Sequence, residues 1–208
     1  MAGLRLAGLG HRSLAPLDLG LEAGELVFLS GPSGSGKSLL LRAIADLDPH
    51  VGEAWLGDEA RSSMAPPLWR RRVGLLPAES FWWGETVGEH LPSDRTNGTG
   101  AETPIADWLT ALGFAPEVLD WSVKRLSTGE RQRLALVRLL AQTPEALLLD
   151  EATANLDPAN RDQVETLIER YRRERQVAVL WVSHDPEQRR RLGGRSYRLH
   201  EGRLESES

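Results

Sequence analysis

One eight-residue stretch restricts this chain more than anything else in it. Gly31, Pro32, Ser33, Gly34, Ser35, Gly36, Lys37 and Ser38 read GPSGSGKS, the pattern G-x-x-x-x-G-K-[ST]. An apolar segment of strand character, Glu25–Ser30, comes before it, and a helix-like segment from Lys37 to about Asp46 follows. Strand, glycine-rich turn and helix in that order make a loop whose backbone N–H groups turn inward around phosphate oxygens. The helix adds the positive end of its dipole. In this reading Lys37 reaches the terminal phosphates, the Ser38 hydroxyl faces Mg2+, and the contacts run on to Leu39. Only two of the 25 basic residues are lysines, Lys37 and Lys124, so finding one of them here weighs against coincidence.

The rest of the chain agrees with a parallel sheet. Residues 4–9, 17–22, Val51–Leu56 and Val73–Leu76 read as strands, as do Ala146–Asp150 and Val177–Ser183. Gly129–Gln142 and Pro158–Arg173 read as helices, the second with proline at its tolerated first position. Strands alternating with helices predict a sheet covered on both faces, with ligands bound beyond the strands' carboxyl ends. The length, 208 residues, suits one domain. Within it, residues 85–125 differ. Val87–Leu91, Ile105–Leu112 and Glu117–Trp121 carry apolar residues at helical spacing around a polar loop, Pro92–Thr103. We expect a helical sub-domain there, inserted into a core made of 1–84 and 126–208.

Composition removes several chemistries. With no cysteine there are no disulfides, thiol nucleophiles or iron–sulfur clusters. The net charge of -5 argues against nucleic acid as a partner. The longest strongly apolar run, VAVLWV at 177–182, is far below the roughly 18 residues of a membrane span. The first residues lack the apolar core of a signal peptide. The expected address is the cytoplasm or the cytoplasmic face of a membrane.

Two further groups of residues carry chemistry. Leu147–Glu151 (LLLDE) is an apolar strand ending in two acids. Asp150 is suited to hold magnesium and Glu151 to orient, or take a proton from, an attacking water. Ser127, Thr128, Gly129 and Glu130 open the next helix. Ser127 and Glu130 have capping-box spacing, and Gly129 permits close backbone approach, so the helix start also suits a phosphate contact.

The order GPSGSGKS, LSTGERQR, LLLDE, ANLD (154–157) and VSHD (182–185) resembles that of ABC-type ATPases, over residues 31–185. The resemblance implies an α/β fold, a RecA-like P-loop NTPase core with a mostly parallel sheet, a small antiparallel portion and a helical sub-domain. It implies ATP and Mg2+ as cofactors and an ATP-bound homodimer. Lys37, Ser38, Asp150, Glu151 and His184 of one copy would then face Ser127 and Gly129 of the other. Asp157 would lie in the loop crossing the interface, and His184 would contact the terminal phosphate. An integral-membrane permease is the implied partner. The segment from Leu147 to Asp185 is similar to the ATPase of small two-component iron exporters of the FetA/FetB type, with the haem-export ATPases as a competitor. A soluble assembly or regulatory ATPase of the same family and a P-loop kinase are the rival functions.

The chain also departs from that family. Ala78 stands where the resemblance calls for glutamine, and Glu79 or water would have to replace its amide. No aromatic side chain lies in 7–12 to stack on adenine, leaving His11 or Arg12. Thr128 replaces a glycine. Phe81, Trp82 and Trp83 form either a docking groove for a membrane subunit or an anchor for the helical insertion. Arg70–Arg72 and Arg189–Arg191 read as solvated faces. Ala78→Gln should strengthen a weakened metal shell, lowering the magnesium needed for half-maximal turnover. Unchanged magnesium dependence and turnover would count against that reading.

Overall fold

The computed structural model describes residues 3–11, 14–92 and 104–207. Strands β1 (Leu4–His11), β2 (Leu14–Leu21), β3 (Leu26–Ser30), β4 (Val51–Leu56), β5 (Glu59–Ala60) and β6 (Val73–Leu76) precede β7 (Ala146–Asp150), β8 (Ala178–Val182), β9 (Arg195–His200) and β10 (Arg203–Glu207). The helices are α1 (Lys37–Ile44), α2 (Pro66–Arg72), α3 (Ile105–Ala111), α4 (Thr128–Leu140), α5 (Pro158–Arg175) and α6 (Pro186–Leu192).

Two sheets form. The larger runs β10-β9-β3-β8-β7-β6, parallel except for the β10 edge, and the smaller is antiparallel, β2-β1-β4-β5. Strands β3, β7 and β8 are buried along their whole length, as strands covered on both faces must be. Their side chains divide with the strand period of two. Val27, Leu29, Ala146, Leu148, Leu180 and Val182 join Leu40, Leu41 and Ile44 of α1 and the leucines of the antiparallel sheet. Phe28, Leu147, Leu149, Val179 and Trp181 join Leu136 and Leu140 of α4 and Leu167 and Ile168 of α5. At Gly52, with φ +77°, a Cβ would lie 2.1 Å from the Gly8 carbonyl oxygen, so β4 passes β1 too closely for any side chain there.

Several sequence expectations change. α4 starts one residue earlier than expected and ends at Leu140, and α5 runs on to Arg175. Among the described residues between 85 and 125, only Ile105–Ala111 is an α-helix. Gly88–His90 and Pro116–Asp120 are 3₁₀ turns, too short to carry a helical stripe. Most of the expected polar loop, residues 93–103, lies outside the described residues. The arginine runs are not simply solvated. Arg72 pairs with Glu145 and Glu59, Arg189 with Glu207 and Arg191 with Glu165, and Arg70 donates to the Asp46 carbonyl. The α6–β9–β10 ending was not anticipated, because arginine and serine interrupt its apolar pattern.

Trp69 of α2 is fully buried, and its indole N–H donates to the Ile44 carbonyl at the end of α1, 2.8 Å away. One side chain thus supplies apolar area and satisfies a carbonyl that the helix end leaves unpaired. Trp69→Ala should destabilise the chain by about 3–5 kcal/mol in urea unfolding. Trp69→Phe should cost less, because it keeps most of the volume and loses the hydrogen bond.

Candidate functional site

The carboxyl ends of β3, β8 and β7 lie side by side at one edge of the parallel sheet. β3 leads into the glycine loop, β7 into Glu151 and β8 into Ser183 and His184. Residues far apart in the chain therefore become neighbours, as a parallel sheet requires of its strand ends. Ser33, Gly34, Gly36, Lys37, Ser38, Leu39, Glu151 and His184 line one cleft of about 280 Å³.

The loop owes its path to glycine. Gly31, Gly34 and Gly36 all have positive φ, and a Cβ on Gly31 would lie 2.3 Å from the Leu199 carbonyl oxygen. β9 therefore supports the loop from beside β3, a contact with no signal in the sequence. Lys37 is buried at the first position of α1, and its Nζ donates to the Gly31 and Pro32 carbonyls, 2.9 Å each. Burial pushes its ammonium below the ordinary lysine value, and the charges of Glu151 and Asp150 partly restore it. Ser38 is exposed beside it.

Asp150 ends β7 and is buried. Glu151 then turns the chain with φ 50°, a left-handed conformation uncommon for a residue with a side chain. Its N–H donates to the Val182 carbonyl, and its Oε1 lies 3.2 Å from His184 Nε2. The cleft thus combines a glycine loop, a lysine, a hydroxyl and a carboxylate–imidazole pair. That set suits a phosphorylated ligand and a proton-accepting step at its end. Ser38 and Asp150 are hard oxygen donors, one hydroxyl and one carboxylate, a set that fits Mg2+ when phosphates supply further ligands.

Ser127, Thr128, Gly129 and Glu130 do not line this cleft. They stand at the start of α4, with Ser127 and Thr128 exposed. A Cβ on Gly129 would come within 3.1 Å of Leu156, so within one chain the α4 start adjoins the loop after Glu151. Asp157 is exposed and caps α5 by accepting from the Asn160 N–H at 3.0 Å. His11 is partly buried at the end of β1 and its Nδ1 has no partner; Arg12 lies outside the described residues. Ala78 and Glu79 are exposed.

The three aromatics divide their work. Trp82 is partly buried against the core, while Phe81 and Trp83 are 74% and 66% exposed and stack on each other, centroids 6.4 Å apart. Arg138 of α4 lies over both tryptophan rings and donates to the Phe81 carbonyl. Gln132, also on α4, donates to the Pro77 carbonyl and accepts from Ser80. The sequence held no signal for these two residues, which fasten segment 77–83 to α4. Phe81, Trp83 and exposed Lys124 share the lining of a surface cleft of about 670 Å³.

Residues 14–154 match a protein family described as ABC transporter. Over 193 residues the chain is 35% identical to the Escherichia coli protein named "Probable iron export ATP-binding protein FetA", covering 89% of this chain and 86% of that one. Over 209 residues it is 36% identical to the aliphatic sulfonates import ATP-binding protein SsuB 2 of Frankia alni, covering 99% and 78%. A solved ATP-binding cassette, a dimer in a post-hydrolysis state bound to ADP and Pi, superposes with TM-score 0.81 at 25% identity over 98% of each chain.

The expected capping box is complete. Ser127 Oγ accepts from the Glu130 N–H at 3.2 Å, and Glu130 Oε2 accepts from the Ser127 N–H at 2.8 Å. That backbone bond holds the Glu130 carboxyl below its ordinary value. A lowered folded-state pKa stabilises fully above the unfolded value of about 4.3 and is lost as pH falls through the lower folded value. Glu130→Ala should therefore cost about 1 kcal/mol or less at neutral pH. Denaturant titrations across pH should show the gap to the parent closing below about pH 4.

Proposed function

The chain belongs to the ABC transporter family as an ATP-binding, ATP-hydrolysing component, and we propose that it works as a head-to-tail homodimer powering a separate membrane permease. The observation that carries this reading is the single cleft shared by Lys37, Ser38, Glu151 and His184. The helix start at Ser127–Gly129, with Ser127 and Thr128 exposed and outside that cleft, supports a second copy completing it. We read residues 85–125 as a helical sub-domain that precedes that helix start, and 1–84 with 126–208 as the core.

In this mechanism the N–H groups of the glycine loop hold the ATP phosphates, and Lys37 exchanges the Gly31 and Pro32 carbonyls for terminal phosphate oxygens. Ser127 and Gly129 of the second copy close over the same phosphates, and Asp157 lines the loop that crosses between copies. His184 contacts the terminal phosphate. Glu151, held beside it, accepts a proton from water as the water oxygen bonds to the terminal phosphorus and the bridging P–O bond breaks. ADP and phosphate leave, and the copies separate. Magnesium held by Ser38 and Asp150 would neutralise phosphate charge.

No helix among the described residues is long and apolar enough to cross a membrane. A transport role therefore needs a partner that does, and the chain would work at the cytoplasmic face. The exposed Phe81–Trp83 pair and its cleft are where we place the permease. Export of a metal, iron in particular, is our reading of the cargo, supported by the likeness to FetA.

Glu151→Gln should bind ATP, lose turnover and accumulate as a dimer by light scattering. Immobilised with Mg-ATP, it should retain a multi-span protein from solubilised membranes of the source organism. Turnover equal to the parent's would exclude Glu151 as the key acid. Retention of soluble proteins alone would move the assignment to an assembly or regulatory ATPase.

A further inference from the structure

Behind the Glu151–His184 pair lies a buried polar cluster that the mechanism above does not use. Gln188 of α6 is 1% exposed. Its Nε2 donates to Thr153 Oγ1 and to Glu165 Oε1, 2.9 Å each, and its Oε1 accepts from Ser183 Oγ at 2.5 Å. The Glu165 carboxylate only accepts, so the amide orientation is fixed by its partners. Glu165, itself buried, is held in turn by the Arg191 guanidinium at 2.8 Å. Ser183 Oγ also accepts from the Asp185 N–H, 3.1 Å away, so both sides of His184 are fastened.

The connections matter because of what they join. Thr153 lies two residues after Glu151 and Ser183 one before His184, on segments leaving two different strands. Glu151, Thr153, Ser183, His184 and Gln188 all line one cavity of about 380 Å³. Water could compete for Glu151 and His184 there, which are 35% and 44% exposed in their side chains. Their 3.2 Å approach therefore needs support from below, and the buried amide supplies it. Buried polar groups whose partners are all satisfied are rigid, because each lost bond leaves an unpaired group in low dielectric.

We propose that Gln188 is a positioning residue for hydrolysis, its amide tying the segment that carries Glu151 to the segment that carries His184. This rests on the reading of those two as the hydrolytic pair. Gln188 does not line the cleft formed by the phosphate loop, so it acts on the rate and not on ATP binding.

The test is Gln188→Met, which keeps length and volume but removes the bonds, with Thr153→Val and the double variant. Turnover, ATP affinity and Tm are measured for each, with Glu151→Gln in parallel. Gln188→Met is expected to lower kcat about 10- to 100-fold, the scale of a misplaced catalytic group, with ATP affinity unchanged. Thr153→Val should move kcat the same way, and the double variant should fall no further than Gln188→Met, because both cut one tie. If Gln188→Met does not fold, the kcat and affinity of Thr153→Val decide. A kcat per folded molecule equal to the parent's, whatever the Tm, makes the cluster structural and overturns the proposal. So does additive loss in the double variant. An active Glu151→Gln overturns the hydrolytic reading itself, whereas an inert one beside a fully active Gln188→Met overturns only the role of Gln188.

Discussion

Everything in this molecule depends on β8 pairing in parallel with β3 on one side and β7 on the other. Each pairing uses backbone hydrogen bonds, and burial of both faces makes them obligatory. A one-residue slip would turn Leu180 and Trp181 to opposite faces and break both cores. That same register puts Leu29, Val182 and Asp150 level at one edge. Chemistry is therefore assembled by the sheet and requires no special loop folding beyond the glycine turn and the Glu151 bend.

α4 plays a different part. Its first turn presents the capped Ser127 to solvent, while Gln132 and Arg138 further along hold the aromatic segment 77–83. A helix of 13 residues is a stiff body of roughly 20 Å. The aromatic segment and the Ser127 turn are thus both attached to one helix. Ala78 lies in this segment, whose attachment to α4 runs through Pro77, Ser80 and Phe81 instead.

Much of this was legible in the sequence because the informative residues are local patterns. Gly31–Ser38, the run Leu147–Glu151 and the Ser127/Glu130 spacing each announce a backbone geometry within a few residues. The parallel sheet followed from short apolar runs alternating with helical ones. What was not legible depends on contacts across the chain. The support of Gly31 by the Leu199 carbonyl, the pairing of Arg191 with Glu165 and the Gln188 bonds have no local signature. In 85–125, apolar spacing suggested more helix than forms, because Gly88 and Pro116 begin short turns packed on the core.

The scarcity of lysine has a practical side. Of the two side-chain amines, Lys37 is buried with its Nζ engaged by two carbonyls, whereas Lys124 is exposed. Arginine supplies nearly all other positive charge and does not react as a primary amine. An acylating dye will therefore find essentially one side-chain amine on this chain. It lies in the cleft beside Phe81 and Trp83, so the molecule carries its own reporter position on the face where we place its membrane partner.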